Sequence, residues 1–215
     1  MRAGGVFVAG TGTDVGKTVA SACLVRALDA DYWKPVQSGA AQADDTETVV
    51  RLAGLSADRV HPPACRFAAP LSPDQAAALE GIAIDPGRIV PPPTGRVLVV
   101  EGAGGLLVPL TPRFLMVDLV VRLGLPVVLV GHSGLGTINH TLLSLEALRA
   151  RAVPVLGVLL SGERHPDNRE AIECHGGVPV KELPWADPLD AAAVERLAAD
   201  LWPGSRPLDI GKGWW

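Results

Sequence analysis

Short apolar runs alternate with helix-patterned segments along the whole 215-residue chain. Residues 6–9, 32–36, 97–100, 127–130, 155–160 and 178–183 are predicted strands. Several are rich in Val and Leu without polar alternation, the pattern of strands covered on both faces. Between them lie helix signals. Ser72-Pro73-Asp74-Gln75 reads as an N-cap, a first-turn Pro and a capping-box Gln, with Gly81 ending the helix. Ile138, Leu142, Leu145 and Leu148 recur at helical spacing, as do Val194, Leu197 and Leu201. Asp187-Pro188 reads as the cap-then-Pro opening of the last helix. This alternation predicts an α/β protein with a doubly wound, mostly parallel sheet of about seven strands, flanked by helices in three α/β/α layers. Pro91-Pro92-Pro93 is a stiff connector, and no repeat or composition shift divides the chain, so residues 1–215 are expected to form a single domain.

Composition narrows the choice of partners. Hydrophobic residues make up 48%, mostly Ala, Val and Leu, and aromatic residues only 4%, which suits a closely packed parallel sheet. A net charge of -4 with no basic run argues against nucleic acid or an anionic membrane as partner. No apolar stretch is long enough to span a bilayer, and the first residues lack a signal-peptide pattern. Cys23, Cys65 and Cys174 have no Cys-x-x-Cys spacing and are expected as free thiols in a reducing cytoplasm. The terminal Gly211-Lys212-Gly213-Trp214-Trp215 is read as a frayed tail, with docking of its indoles on a neighbour as the alternative.

The strongest chemical signal is Gly10-Thr11-Gly12-Thr13-Asp14-Val15-Gly16-Lys17-Thr18. It follows a predicted strand and precedes a helix-like segment, which is the context of a phosphate-binding loop. Its glycines let successive amides curl inward onto phosphate oxygens, and the helix adds its positive end at the same spot. Lys17 can then reach the outer phosphates and the Thr18 hydroxyl can ligate magnesium. A nucleoside triphosphate is the expected ligand.

In a doubly wound sheet, ligands bind beyond the carboxyl ends of the strands. Two further strand tips carry polar residues there. Lys34, followed by Pro35-Val36-Gln37-Ser38-Gly39, is a cation able to neutralise charge on a transferring phosphoryl group, or else a surface lysine on an edge strand. Glu101, ahead of Gly102-Ala103-Gly104-Gly105, is placed to hold magnesium, and those glycines allow a ligand close to the backbone. Asp44 and Asp45 begin a helix pattern, and either could serve the metal. Gly136, Thr137, Ile138 and Asn139 open another helix whose free amides suit a carboxylate or phosphate. His140 is read as structural, and His61, His132, His165 and His175 form no metal spacing.

Taken in order, these strings resemble the dethiobiotin synthetase family, biotin-pathway enzymes that close a ureido ring with ATP and carbon dioxide. The resemblance covers roughly the first 160 residues. It implies a cyclo-ligase acting on 7,8-diaminononanoate, carbon dioxide or bicarbonate, and ATP with Mg2+, with no nucleic acid or membrane partner. It implies that Gly12, Thr13, Asp14, Val15, Gly16, Lys17 and Thr18 hold the nucleotide, and that Lys17 and Lys34 act on the γ-phosphate and the carbamate. Thr18, Asp45 and Glu101 would hold magnesium, Asp45 being preferred to Asp44 by its offset from Arg51-Leu52-Ala53-Gly54. Thr13, Ser38 and Gly104 would line the reacting end. Members are homodimers, so Gly136, Thr137, Ile138 and Asn139 of a second copy would receive the substrate carboxylate.

One position departs from the family. Ser161-Gly162 stands where many members carry Asn-Asp, whose Asn reads the adenine edge. A Ser hydroxyl at the base site cannot make the paired contact of an amide, so the resemblance carries no preference for adenine over other bases. The competing reading is a partition- or assembly-type ATPase acting as a nucleotide switch. Those relatives typically have a lysine early in the phosphate loop, where this chain has Gly12.

Overall fold

The computed structural model describes residues 4–203. In chain order the elements are β1 (Gly5–Gly10), α1 (Lys17–Leu28), β2 (Asp31–Trp33), β3 (Val36–Gln37), α2 (Asp45–Ala53), β4 (Val60–His61), β5 (Cys65–Arg66) and α3 (Pro73–Leu79). They continue with β6 (Leu98–Gly105), β7 (Pro109–Thr111), β8 (Phe114–Leu115), α4 (Met116–Leu123), β9 (Val127–His132) and α5 (Thr137–Arg149). The last are β10 (Val155–Ser161), α6 (Pro166–Gly176), β11 (Val180–Leu183) and α7 (Ala191–Leu201). Seven strands form one sheet in the order β11-β10-β9-β1-β6-β2-β4, every pairing parallel.

Alternation along β1 shows how the layers arise. Val6 and Val8 face one core, with Leu24 and Leu28 of α1, Leu52 of α2 and Val194 of α7. Phe7 and Ala9 face the other, with Val120 of α4, Leu148 of α5 and Ile172 of α6. A strand buried on both sides must be apolar at every position, which is why its sequence lacks polar alternation. The α/β three-layer expectation is met, and the sheet reaches seven strands through one that apolar patterning did not reveal. That strand, β4, is two half-buried residues long, too short to register as a run.

Other differences have local causes. The expected strand 32–36 is divided: β2 ends at Trp33, and Val36–Gln37 pairs instead with Cys65–Arg66 in a separate two-stranded sheet. Pro35 has no N–H for the ladder and restricts the residue before it, so the main strand stops there. Ser72 and Pro73 hold the N-cap and first-turn positions of α3 as expected, but the Ser72 hydroxyl makes no bond to a helix amide and donates to Asp74 Oδ1 at 2.6 Å. Asp187-Pro188 does not open the last helix. Asp190 does, with Oδ1 accepting from Ala193 N at 2.8 Å. The Trp214-Trp215 tail lies outside the described residues.

Candidate functional site

The phosphate loop leaves β1 at Gly10 and enters α1 at Lys17. Its shape depends on two glycines. A Cβ on Gly10 would lie 2.7 Å from Gly12 O and 2.9 Å from Lys17 Nζ, so the loop can fold back over its own strand only without one. Gly16 adopts φ +95°, and a Cβ there would stand 2.7 Å from Ser161 Cβ. The left-handed turn thus aims the first amides of α1 at the loop's interior. Val15 is buried in the core beneath and anchors the loop.

Thr13, Asp14, Gly16, Lys17, Thr18, Lys34, Ser38, Asp45, Glu101 and Gly104 all line one cavity of about 840 Å³ beyond the strand ends. Four sequence strings spread over about 90 residues are brought together because β1, β6 and β2 are adjacent in the sheet and parallel. Gly12, within the loop, is not in that lining, and its carbonyl accepts from Lys17 Nζ at 2.7 Å.

Charge is closely matched at the cavity's base. Lys34 Nζ lies 2.8 Å from Glu101 Oε1 and 2.8 Å from Asp45 Oδ2. Thr18 Oγ1 donates to Asp45 Oδ1 at 2.8 Å and lies 3.2 Å from Glu101 Oε1. Lys34 is 3% exposed and Glu101 0%. Burial alone would push the Lys34 ammonium toward losing its proton, but Glu101 and Asp45 outweigh it and raise its pKa above the ordinary lysine value. Burial likewise works against the Asp45 carboxylate, yet Lys34, Thr18 and Lys17 hold its pKa below the usual value. Lys17 goes the other way, lowered to about 8 by burial first and by the charge of Lys34 second. An ammonium has three donors. Lys34 uses two on carboxylates and Lys17 one on Gly12 O, so both keep donors for an incoming anion.

Thr18, Asp45 and Glu101 present converging hard oxygens. That donor set fits Mg2+, which keeps several waters and takes one or two carboxylates beside phosphate oxygens. Among the described residues no group of three or more His, Cys, Asp and Glu side chains forms a metal cluster, so two carboxylates are what the protein brings. Asp44, the other candidate, is turned away. Its Oδ1 accepts from Thr46 N at 2.8 Å as the cap of α2, and Oδ2 meets Arg66 at 3.1 Å.

Two residues escaped sequence reasoning. Tyr32 donates its hydroxyl to Glu101 Oε2 at 2.9 Å with both side chains fully buried, and burial followed by the Glu101 charge raises its pKa well above the usual value. It sits two residues before Lys34, hence on the same strand face, and that spacing was the available signal. Gln37 lines the cavity and is 2% exposed. Its string, Lys34 to Gly39, was singled out, but only Lys34 and Ser38 in it were given roles.

Other expected residues lie apart. Ser161, at the tip of β10, abuts Gly16 behind the loop and does not line the cavity. Gly136, Thr137, Ile138 and Asn139 are not in its lining either. Gly136 precedes α5 with no side-chain cap, while Thr137 is buried with Oγ1 3.4 Å from Thr141 Oγ1.

Comparison with known proteins agrees with this arrangement. Residues 4–193 match the family model described as an AAA domain. The chain is 54% identical over 194 residues to the ATP-dependent dethiobiotin synthetase of Paramagnetospirillum magneticum, covering 90% of this chain and 93% of that protein. It is 48% identical over 206 residues to the enzyme of the same name from Rhizorhabdus wittichii, covering 95% and 97%. It is also 56% identical over 205 residues to a biotin biosynthesis bifunctional protein of Bordetella avium, where it covers 94% of this chain but only 43% of that protein. Among solved structures, a ParA family ATPase from Chlorobium tepidum aligns with TM-score 0.55 at 14% identity over 95% of this chain and 94% of the other. Apo McdA of Cyanothece aligns with TM-score 0.57 at 12% identity over 99% and 97%; both likenesses concern the fold. No helix among the described residues is long and apolar enough to cross a membrane. A phosphate loop facing one carboxylate on β6 and another at the start of α2, in a sequence about half identical to those enzymes over nearly its whole length, identifies the chain as a member of the ATP-dependent dethiobiotin synthetase family, ligases of biotin biosynthesis.

Proposed function

We propose that this chain closes the ureido ring of dethiobiotin from 7,8-diaminononanoate, carbon dioxide and ATP. One amine of the substrate bonds to carbon dioxide and loses a proton, giving a carbamate. A carbamate oxygen attacks the γ-phosphorus, the bond to ADP breaks, and a carbamic-phosphoric anhydride results. The second amine then attacks the carbonyl carbon, phosphate leaves and a proton is released. Each step presses anions together, so catalysis rests on positioning and charge stabilisation rather than on a protein nucleophile.

Several observations support the roles. Lys17, on the phosphate loop, holds the outer phosphates. Lys34, charged and anchored by two carboxylates, holds the carbamate against the γ-phosphate. Thr13, Ser38 and Gly104 line the same cavity and border the reacting end. Thr18, Asp45 and Glu101 hold Mg2+, which when bound neutralises phosphate charge. The uncapped amides of α5 suit a carboxylate, and by resemblance to the family residues 136–139 of a second copy in a homodimer supply them, a reading compatible with their lying outside the cavity lining of their own chain. A cytoplasmic location belongs to the same reading and rests on the family's biosynthetic role.

The observation that carries the proposal is Lys34, 2.8 Å from both Glu101 and Asp45 in the cavity shared with Lys17 and Thr18. The test is incubation with the diamine, bicarbonate, magnesium and a panel of nucleoside triphosphates, scoring phosphate release and ring product. Stoichiometric phosphate and dethiobiotin are expected. Phosphate release that does not depend on the diamine, with no ring product, sinks the reading and favours a nucleotide switch. The same panel reads out base preference, which Ser161 leaves unassigned.

A further inference from the structure

We infer that Gln37 is a specificity-determining residue, whose carboxamide oxygen receives an N–H of the substrate amine that does not carry the carbamate. The inference rests on the ring-closing reading above and adds a contact for the half of the diamine that the two lysines leave unserved.

Gln37 ends β3, the short strand beyond Pro35. Its backbone is committed to the small sheet, with its carbonyl accepting from Phe67 N at 2.8 Å. Its Nε2 donates to Ser38 O at 2.7 Å. That bond settles which end of the amide is which, because a carbonyl can only accept and must face the NH2. Oε1 is then left as a pure acceptor. It is buried and has no hydrogen-bond partner among the described residues, so a substrate amine in the adjoining cavity meets it only with a small shift of the side chains around it. Leaving such an acceptor unpaired is costly, and buried polar groups in folded proteins are nearly always satisfied. The neighbouring Ser38 Oγ is equally buried and equally without a partner. Both residues line the candidate cavity.

The chemistry of the missing donor follows from the rest of the wall. Lys17, Lys34 and the loop amides are all donors and serve the anionic portions of the ligands. The available carboxylate oxygens of Asp45 and Glu101 are engaged by Lys34 and Thr18. A ligand that also brings N–H groups finds buried acceptors without partners at Gln37 and Ser38, with Asp14, Thr13 and Gln42 elsewhere on the same wall. Pro70, Leu71, Pro73 and Val108 line the same cavity and suit an alkyl chain. A vicinal diamine on an aliphatic acid has these features in one molecule. Its first nitrogen becomes the carbamate near Lys34, and its second, one carbon further along, remains an N–H donor.

The test is a comparison of ligands and variants by calorimetry, in the presence of magnesium and a non-hydrolysable ATP analogue. The probes are 7,8-diaminononanoate and the two monoamines, 7-aminononanoate and 8-aminononanoate. Q37M keeps the length and removes the acceptor. It should weaken diamine binding about tenfold while changing affinity for the ATP analogue by less than about twofold. The monoamine that lacks the contacted nitrogen should bind wild type and Q37M alike. Q37E keeps an acceptor oxygen and should bind the diamine within about threefold of wild type. If Q37M does not fold, Q37N, which withdraws the acceptor by one methylene, carries the same expectation. Equal loss for the diamine and the ATP analogue, or equal loss for the diamine and both monoamines, would show that Gln37 merely pins the Ser38 carbonyl and overturns the inference. Unchanged diamine binding in Q37M overturns it as well. Wild type that binds no diamine overturns this inference and the ring-closing reading together, so the two failures are separable.

Discussion

Charges gather at both ends of β2, in two clusters of similar composition. At the carboxyl end Lys34 lies between Glu101 and Asp45, beside a cavity that also holds Lys17. At the amino end the buried Asp31 accepts from Thr94 Oγ1 at 2.6 Å, lies 3.3 Å from His61 Nε2 and approaches Arg59 Nε and Arg96 Nε at 3.5 and 3.8 Å. Asp29 adds ion pairs to the same two arginines, at 2.9 Å each. The amino-end groups come from the end of α1, from β2, from β4 and the turn before it, and from the segment before β6, so they tie the edge of the sheet together. The carboxyl-end groups come from α1, α2, β6 and the end of β2, and they face open space. Buried, paired charge is therefore not a functional signal by itself. What separates the two is a cavity whose lysines keep free donors.

Substitutions at each end should separate these roles. The largest effect is expected for Lys34→Ala. Turnover should fall about 100- to 1000-fold with circular dichroism unchanged, because a charge-stabilising donor is lost where negative charge accumulates. Near-wild-type turnover would falsify the assignment of Lys34. Asp31→Ala should do the reverse, lowering stability in urea by about 2 kcal/mol while kcat at room temperature stays the same. A comparable loss of kcat would mean that the amino-end cluster is coupled to the site.

Proton binding gives the third contrast. Lys17 is held at about 8, below the ordinary lysine value of 10.5, by burial first and by the charge of Lys34 second. Between those two values the unfolded chain binds a proton that the folded chain lacks, so stability rises with pH across that window. The unfavourable contribution of this lysine is complete below pH 8 and relieved toward 10.5. Nucleotide binding should run the opposite way, because the anion needs the ammonium. ATP affinity should weaken by up to about tenfold per pH unit above 8, read by titrations from about pH 7 to 9. A flat profile would mean that Lys17 does not titrate there or does not touch the phosphates. The smallest effect is expected for Tyr32→Phe, which takes a donor from Glu101 Oε2. About fivefold more magnesium should then be needed for half-maximal turnover. An unchanged requirement would mark the hydroxyl as packing only.

These contrasts also show what could be read along the chain. The phosphate loop was legible because its glycines, Lys17 and Thr18 are contiguous and lie between a strand and a helix. Glu101 was legible as an acid ending an apolar run. Lys34 was legible as a cation near the carboxyl end of a predicted strand, whereas Asp31, at the other end, carried no signal because its partners lie far along the chain. Tyr32 and Gln37 escaped because their roles depend on partners far along the chain or on a cavity. The split of the second strand at Pro35 and the two-residue β4 were lost for a different reason, being shorter than the window over which apolar periodicity can be recognised.

By itself the sequence determined the alternation that makes a covered parallel sheet, the loop that curls around phosphate, and the acid and lysine available at the strand tips. These are local properties, set by side-chain period, glycine freedom and residue chemistry. Only the tertiary structure decided that Lys34 lies between Asp45 and Glu101, that Tyr32 supports Glu101, that Gln37 Oε1 is buried without a partner beside the cavity and that Ser161 backs the loop instead. Each of those depends on which strands are neighbours and on which side of a turn a side chain leaves, and the order β1-β6-β2 is settled by packing between residues far apart in the chain.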